Sequence, residues 1–136
     1  MFLLVRDVSE YTEWNPILLG IFADEATAEA ARLAYIADTT GNDPWQEQAY
    51  KVPDLARDVR VAKIENEGAS HEMASVFLVT RHLEGMGQFS RWYLAVFASL
   101  DAARERAAQE DAEEKVVAEY ISIEEFTVNK HYFRGS

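Results

Sequence analysis

Apolar and polar positions along this chain run through two similar rounds. Phe2-Leu3-Leu4-Val5-Arg6 is answered by Phe77-Leu78-Val79-Thr80-Arg81, and Ile21-Phe22-Ala23 by Val96-Phe97-Ala98, at one constant offset. A match of this length marks a duplicated supersecondary unit. The first round predicts a strand over Phe2 to Val8, a polar and aromatic loop from Ser9 to Pro16, and a second strand over Ile17 to Ala23. Asp24 stands where a helix N-cap belongs, with Glu25 in the first turn to suit the helix dipole. Ala26, Ala30, Leu33, Ala34 and Ala37 then recur at helical spacing and predict a core-facing stripe. Turn and breaker residues from Thr39 to Pro44 end the helix. Trp45 to Asp58 has no period, and Arg60 to Ile64 reads as a closing strand.

The second round follows the same plan. A polar stretch with Gly68 leads into a strand over Val76 to His82, a loop over Glu84 to Gln88, a strand over Arg91 to Ala98 and a helix capped by Ser99. Tyr120 to Lys130 supplies its closing strand, with Val61-Ala62-Lys63 matched to Val128-Asn129-Lys130 at a smaller offset. The expected architecture is one α+β domain of two ββαβ units, residues 1–66 and 75–133 with a linker at 67–74. They are expected to share one mostly antiparallel sheet with two helices on one face. Gly135-Ser136 is set aside as a cloning remnant.

One tension follows from the strands. Ile17 to Phe22 and Trp92 to Phe97 do not alternate, so both faces of the sheet are apolar and both call for cover. Either the loop with Trp45 and Tyr50 covers the face opposite the helices, or a homodimer contact or another partner does.

Composition narrows the class. With 49% apolar residues the 136-residue chain can build a core, and no apolar run reaches the roughly 20 residues of a membrane helix. The N-terminal run lacks the basic region and cleavage site of a signal peptide, so a cytoplasmic location is expected. The net charge of −11 argues against direct contact with a nucleic-acid backbone, which needs basic patches. It favours solubility and fast encounter with a basic partner.

Candidate chemistry is sparse. Cysteine is absent, the three histidines lack metal-ligand spacing, and no nucleophile elbow occurs. No catalytic residue, metal or cofactor is therefore assigned. Leu100, Ala103 and Ala107 share a helix face, after which Glu110, Asp111 and Glu114 fall in the same sector, so the packed stripe runs out. From Glu110 to Glu125 seven acids stand against Lys115 alone. Glu110, Asp111, Glu113, Glu114, Glu119, Glu124 and Glu125 are either a solvated helix end with a charged edge strand, or a docking surface for a basic cleft. Glu10, Tyr11, Glu13 and Trp14 in the first loop either anchor an interface or fold back on the sheet. Arg6 and Arg81 stand at equivalent strand positions, which predicts an ion pair from each to a neighbouring carboxylate.

Leu19-Gly20-Ile21-Phe22-Ala23-Asp24-Glu25-Ala26-Thr27-Ala28 and Leu94 to Ala103 resemble a strand-to-helix junction of small acidic bacterial immunity-type domains and phage inhibitors. The resemblance implies no site residues. The expected function is a non-enzymatic binding protein that occludes a basic-clefted toxin. The alternatives are a phage or mobile-element inhibitor of a defence nuclease, and a small ligand-binding domain or enzyme.

Overall fold

A computed structural model describes residues 1–10, 13–43, 54–68, 74–85, 88–111 and 118–132. The first half forms β1 (Phe2–Glu10), β2 (Glu13–Phe22), α1 (Glu25–Thr39), a one-turn α2 (Leu55–Asp58) and β3 (Val59–Lys63). β4 (Glu65–Glu67) follows as the end of the first half, and the second half forms β5 (Ser75–Gly85), β6 (Gln88–Phe97), α3 (Leu100–Asp111) and β7 (Ala118–Thr127). The α+β class and the antiparallel hairpins are as expected. The strands divide into two sheets, however, β2-β1-β3 and β4-β6-β5-β7, rather than joining into one.

Each sheet carries its own helix on its outer face, and the inner faces pack on each other. Leu4, Leu19, Phe22 and Val59 bury against Ala28, Ala31 and Tyr35 of α1. Val79, Ala95 and Phe97 bury against Ala103 of α3. Between the sheets lie Leu3, Val5 and Ile21 from one half with Val76, Leu78 and Val96 from the other. The apolar second face read from the strands is thus covered by the other half of the chain. It is not left bare for a second subunit, and the Trp45 loop lies outside the described residues. The two-helices-on-one-face arrangement fails for the same reason. Two apolar faces on each sheet are satisfied by one helix and one opposing sheet.

The halves agree in register as well as order. Phe2 faces Phe22 and Phe77 faces Phe97, an offset of 75 residues, and each hairpin shifts register at the same place, between Leu4 and Val5 and between Val79 and Thr80. Closing strands match at an offset of 62, since Phe2 faces Lys63 and Phe77 faces Glu125. The expected match of Val61-Ala62-Lys63 to residues 128–130 is therefore displaced by five residues.

Past its closing strand each half reaches over to the other. β4 adds in parallel to the edge of β6, and the segment after β7 adds to β2, with the amides of Asn129 and Tyr132 donating to the Ile21 and Leu19 carbonyls. Asn129 adopts a left-handed φ of 62°, which Asn tolerates best among residues with a Cβ, and its Oδ1 accepts from the Ala23 amide. Gly20 is required by this crossover. A Cβ there would lie 2.8 Å from the Lys130 carbonyl and 2.7 Å from the Phe22 ring.

Caps fall where the pattern put them: Asp24 accepts from the Thr27 amide at 2.7 Å, and Ser99 from the Ala102 amide at 3.2 Å. The α1 stripe does not. Ala28, Ala31, Tyr35 and Thr39 are the buried residues, while Ala26, Ala30, Leu33, Ala34 and Ala37 face outward. No helix among the described residues is long and apolar enough to cross a membrane.

Candidate functional site

The expected arginine pairs are present, one per half, on the outer sheet faces. Arg6 is almost fully buried and donates to Asp43 at 2.8 and 2.6 Å and to the Tyr35 hydroxyl at 3.0 Å. Burial opposes its charge, but the Asp43 and Tyr35 hydrogen bonds outweigh that and hold its pKa above the ordinary value. Arg81 pairs with Glu110, which also accepts from Arg106 at 3.0 Å; Arg106 in turn reaches Glu65 on β4 at 3.1 Å. Tyr35 and Glu110 are themselves 75 residues apart, so both halves use one device with different partners.

This places Glu110 inside the fold, correcting the expectation that it is solvated. The other acids of the segment are scattered. Asp111 is exposed at the helix end. Glu113 and Glu114 lie outside the described residues. Glu119 and Glu125 belong to the helix-facing side of β7, the side of Ile121 and Ile123, and Glu125 accepts from Ser75 at 2.9 Å. Glu124 belongs to the inner side. In the first loop the backbone pairs Glu10 with Glu13 and Ser9 with Trp14; Tyr11 and these side chains lie outside the described residues. Among the described residues, the structure therefore brings no more than short runs of the expected surface together.

What it does assemble lies between the sheets. A pocket of about 200 Å³ is lined by Ile17 and Leu18 of β2 and by Leu78, Thr80, His82, Arg91, Tyr93, Glu124 and Phe126 of the second sheet. Strand register sets its polar wall as two rows, Tyr93–Thr80–Ser122 and Arg91–His82–Tyr120. His82 Nε2 lies 2.7 Å from Ser122 Oγ, and its ring stacks on Tyr120 at 4.6 Å. Nδ1 is buried and has no hydrogen-bond partner among the described residues. Burial, reinforced by the Arg91 charge, lowers the His82 pKa, with Glu124 and Glu84 pulling the other way. Neutral imidazole is thereby favoured at physiological pH. Tyr93 donates to the Pro16 carbonyl at 2.7 Å, and burial raises the pKa of its phenol.

A second pocket of about 150 Å³ occupies the equivalent place in the first half, lined by Leu3, Val5, Pro16, Arg60, Ala62, Lys63, Ile64, Trp92 and Tyr93. Most of its residues correspond in position to the first pocket's, while Arg60 and Lys63 line this pocket alone. Leu3 and Val5 stand for Leu78 and Thr80, Pro16 for Arg91, and Ala62 and Ile64 for Glu124 and Phe126. Asp7 stands for His82 and Arg60 for Ser122, and these two form an ion pair at 2.8 Å.

Sequence reasoning weighed His82 only as a metal ligand and passed over Thr80, Arg91, Tyr93 and Ser122. The available signal was the offset itself, which sets Thr80 and Tyr93 against Val5 and Leu18. Among the described residues no group of three or more His, Asp or Glu could hold a metal ion. No protein-family model matches the chain, and neither curated proteins nor solved structures give a match.

Proposed function

We propose that this chain is a small-ligand-binding domain whose site is the inter-sheet pocket of the second half. The carrying observation is the inequality of the two pockets. The fold needs neither a histidine nor an arginine at these positions, because Asp7 and Pro16 occupy them in the first half. A buried polar atom costs stability unless paired, and His82 Nδ1 incurs that cost with no return to folding. The volume is about that of seven liquid waters at ~30 Å³ each, below the ~300–1,000 Å³ of drug-sized sites, so the ligand is small. Binding is favoured over catalysis. The His82–Ser122 contact has the reach of a base–nucleophile pair, yet among the described residues no carboxylate orients the other ring nitrogen as a triad requires.

A thermal-shift screen of small metabolites tests the proposal, run on the parent and on a Thr80→Val, Tyr93→Leu variant that copies the first half. Compounds that raise the Tm of the parent and not of the variant are expected. Equal shifts in both proteins would remove the pocket as the site.

The net charge of −11 supports a second reading, occlusion of a basic toxin or nuclease cleft. Salt-sensitive capture of a basic protein by the parent, lost on reversing Asp111 and Glu119, would favour it.

A further inference from the structure

The geometry points to a small monocarboxylate with an apolar body as the ligand of the second-half pocket, with Arg91 taking the carboxylate; this rests on the ligand-binding reading above. Arg91 brings a permanent positive charge to the wall of a partly apolar cavity, and its planar fork of donors matches a carboxylate better than a point charge would. The overall charge of −11 would repel an anion from most of the surface, and a cation at a cavity wall can offset that locally.

The charge of the ligand is limited to one. Glu124 lines the same pocket and disfavours a second negative charge. His82 is held toward its neutral form and so contributes hydrogen bonding rather than another positive charge. Phosphomonoesters, mostly dianionic near neutral pH, fit these terms poorly. The rest of the wall sets the body of the ligand. Leu18, Leu78 and Phe126 offer apolar contact, while the Thr80 hydroxyl lies in the row beside Arg91 and His82. The equivalent pocket differs, with Pro16 in place of the arginine, Arg60 engaged by Asp7 and Lys63 exposed at its wall.

The test titrates the whole isotope-labelled chain with benzoate, with benzamide as a neutral molecule of the same shape, and with phenyl phosphate as a dianion, following amide shifts by NMR. Benzoate is expected to bind at least tenfold more tightly than benzamide, with shifts centred on Thr80, His82 and Arg91, and phenyl phosphate more weakly than benzoate. Arg91→Gln should bring benzoate down to the benzamide level, and Arg91→Lys should restore part of the difference. Benzamide binding as tightly as benzoate in the same pocket would overturn the carboxylate assignment and leave the ligand-binding reading standing. Phenyl phosphate binding as tightly as benzoate would overturn the single-charge limit. Shifts centred on Leu3, Val5 and Trp92, or no shifts at all, would overturn the assignment to this pocket. The comparison of the three probes is made on the parent chain and does not depend on a variant folding.

Discussion

The two inter-sheet pockets are built on matching strands at matching registers, and they differ in what those strands carry. In the first half the two rows around the pocket hold Leu18, Val5 and Arg60, then Pro16 and Asp7; Arg60 pairs with Asp7, and Lys63 lines the pocket wall beside them. In the second half the same rows hold Tyr93, Thr80 and Ser122, then Arg91, His82 and Tyr120. A shared backbone thus acts as an internal control. Features present in both halves, such as the caps, the register shifts and the outward arginines, belong to folding. Features present in one half ask for another explanation.

The outward arginines should show the largest effects. Asp43→Ala leaves the Arg6 charge buried with the neutral Tyr35 hydroxyl as its remaining side-chain hydrogen-bond partner among the described residues, and breaking such a pair costs about 3–5 kcal/mol. The corresponding Glu110→Ala in the second half should cost less, about 1–3 kcal/mol, because Arg81 and Arg106 keep partial access to water. Denaturant unfolding measures both. A Glu110 variant at least as destabilised as the Asp43 variant would contradict the ranking by burial.

The crossovers should come next. Gly20→Ala drives a methyl group into the Lys130 carbonyl and the Phe22 ring and should cost roughly 1–3 kcal/mol by overpacking. Its equivalent, Ala95, already carries a Cβ and is fully buried. Ala95→Gly should cost less, about 0.5–1 kcal/mol as a glycine penalty within a strand. Hydrogen exchange at Asn129 and Tyr132 should accelerate in Gly20→Ala and not in Ala95→Gly.

A smaller effect is expected from pH. The His82 pKa is lowered in the fold by burial and by Arg91 on β6, against Glu84 on β5 and Glu124 on β7. The unfolded chain therefore takes up the proton first. The stability contribution of neutral His82 is complete above the unfolded pKa of about 6.5 and is lost as pH falls through the lower folded value. His82→Gln should flatten that acid limb, measured as Tm between about pH 7 and pH 4.5, a range that brackets the ordinary histidine pKa.

Much of the local structure was legible in the sequence. Asp24 and Ser99 announce their helices because a capping side chain leaves a short-range signature, and Arg6 and Arg81 stood out as a charge repeated within apolar runs. The α1 face was not legible. Alanine occupies so many positions of that helix that several sectors look equally apolar, and Tyr35, buried by its bond to Arg6, carries a hydroxyl that a simple apolar count discounts. The division into two sheets was also hidden, since doubly apolar strands state that both faces are covered and not by what. Nor could the pocket be read from spacing, because its wall comes from β5, β6 and β7, and residues such as His82 and Ser122 meet only through register.

The most direct test of the account is a map of amide shifts across the whole chain as a bound small carboxylate is titrated in. It predicts that shifts gather at Thr80, His82 and Arg91 and leave Leu3, Val5 and Ala62 in place. Shifts shared equally by the two pockets, or gathered in the first, would contradict the claim that the second half alone was given over to a ligand.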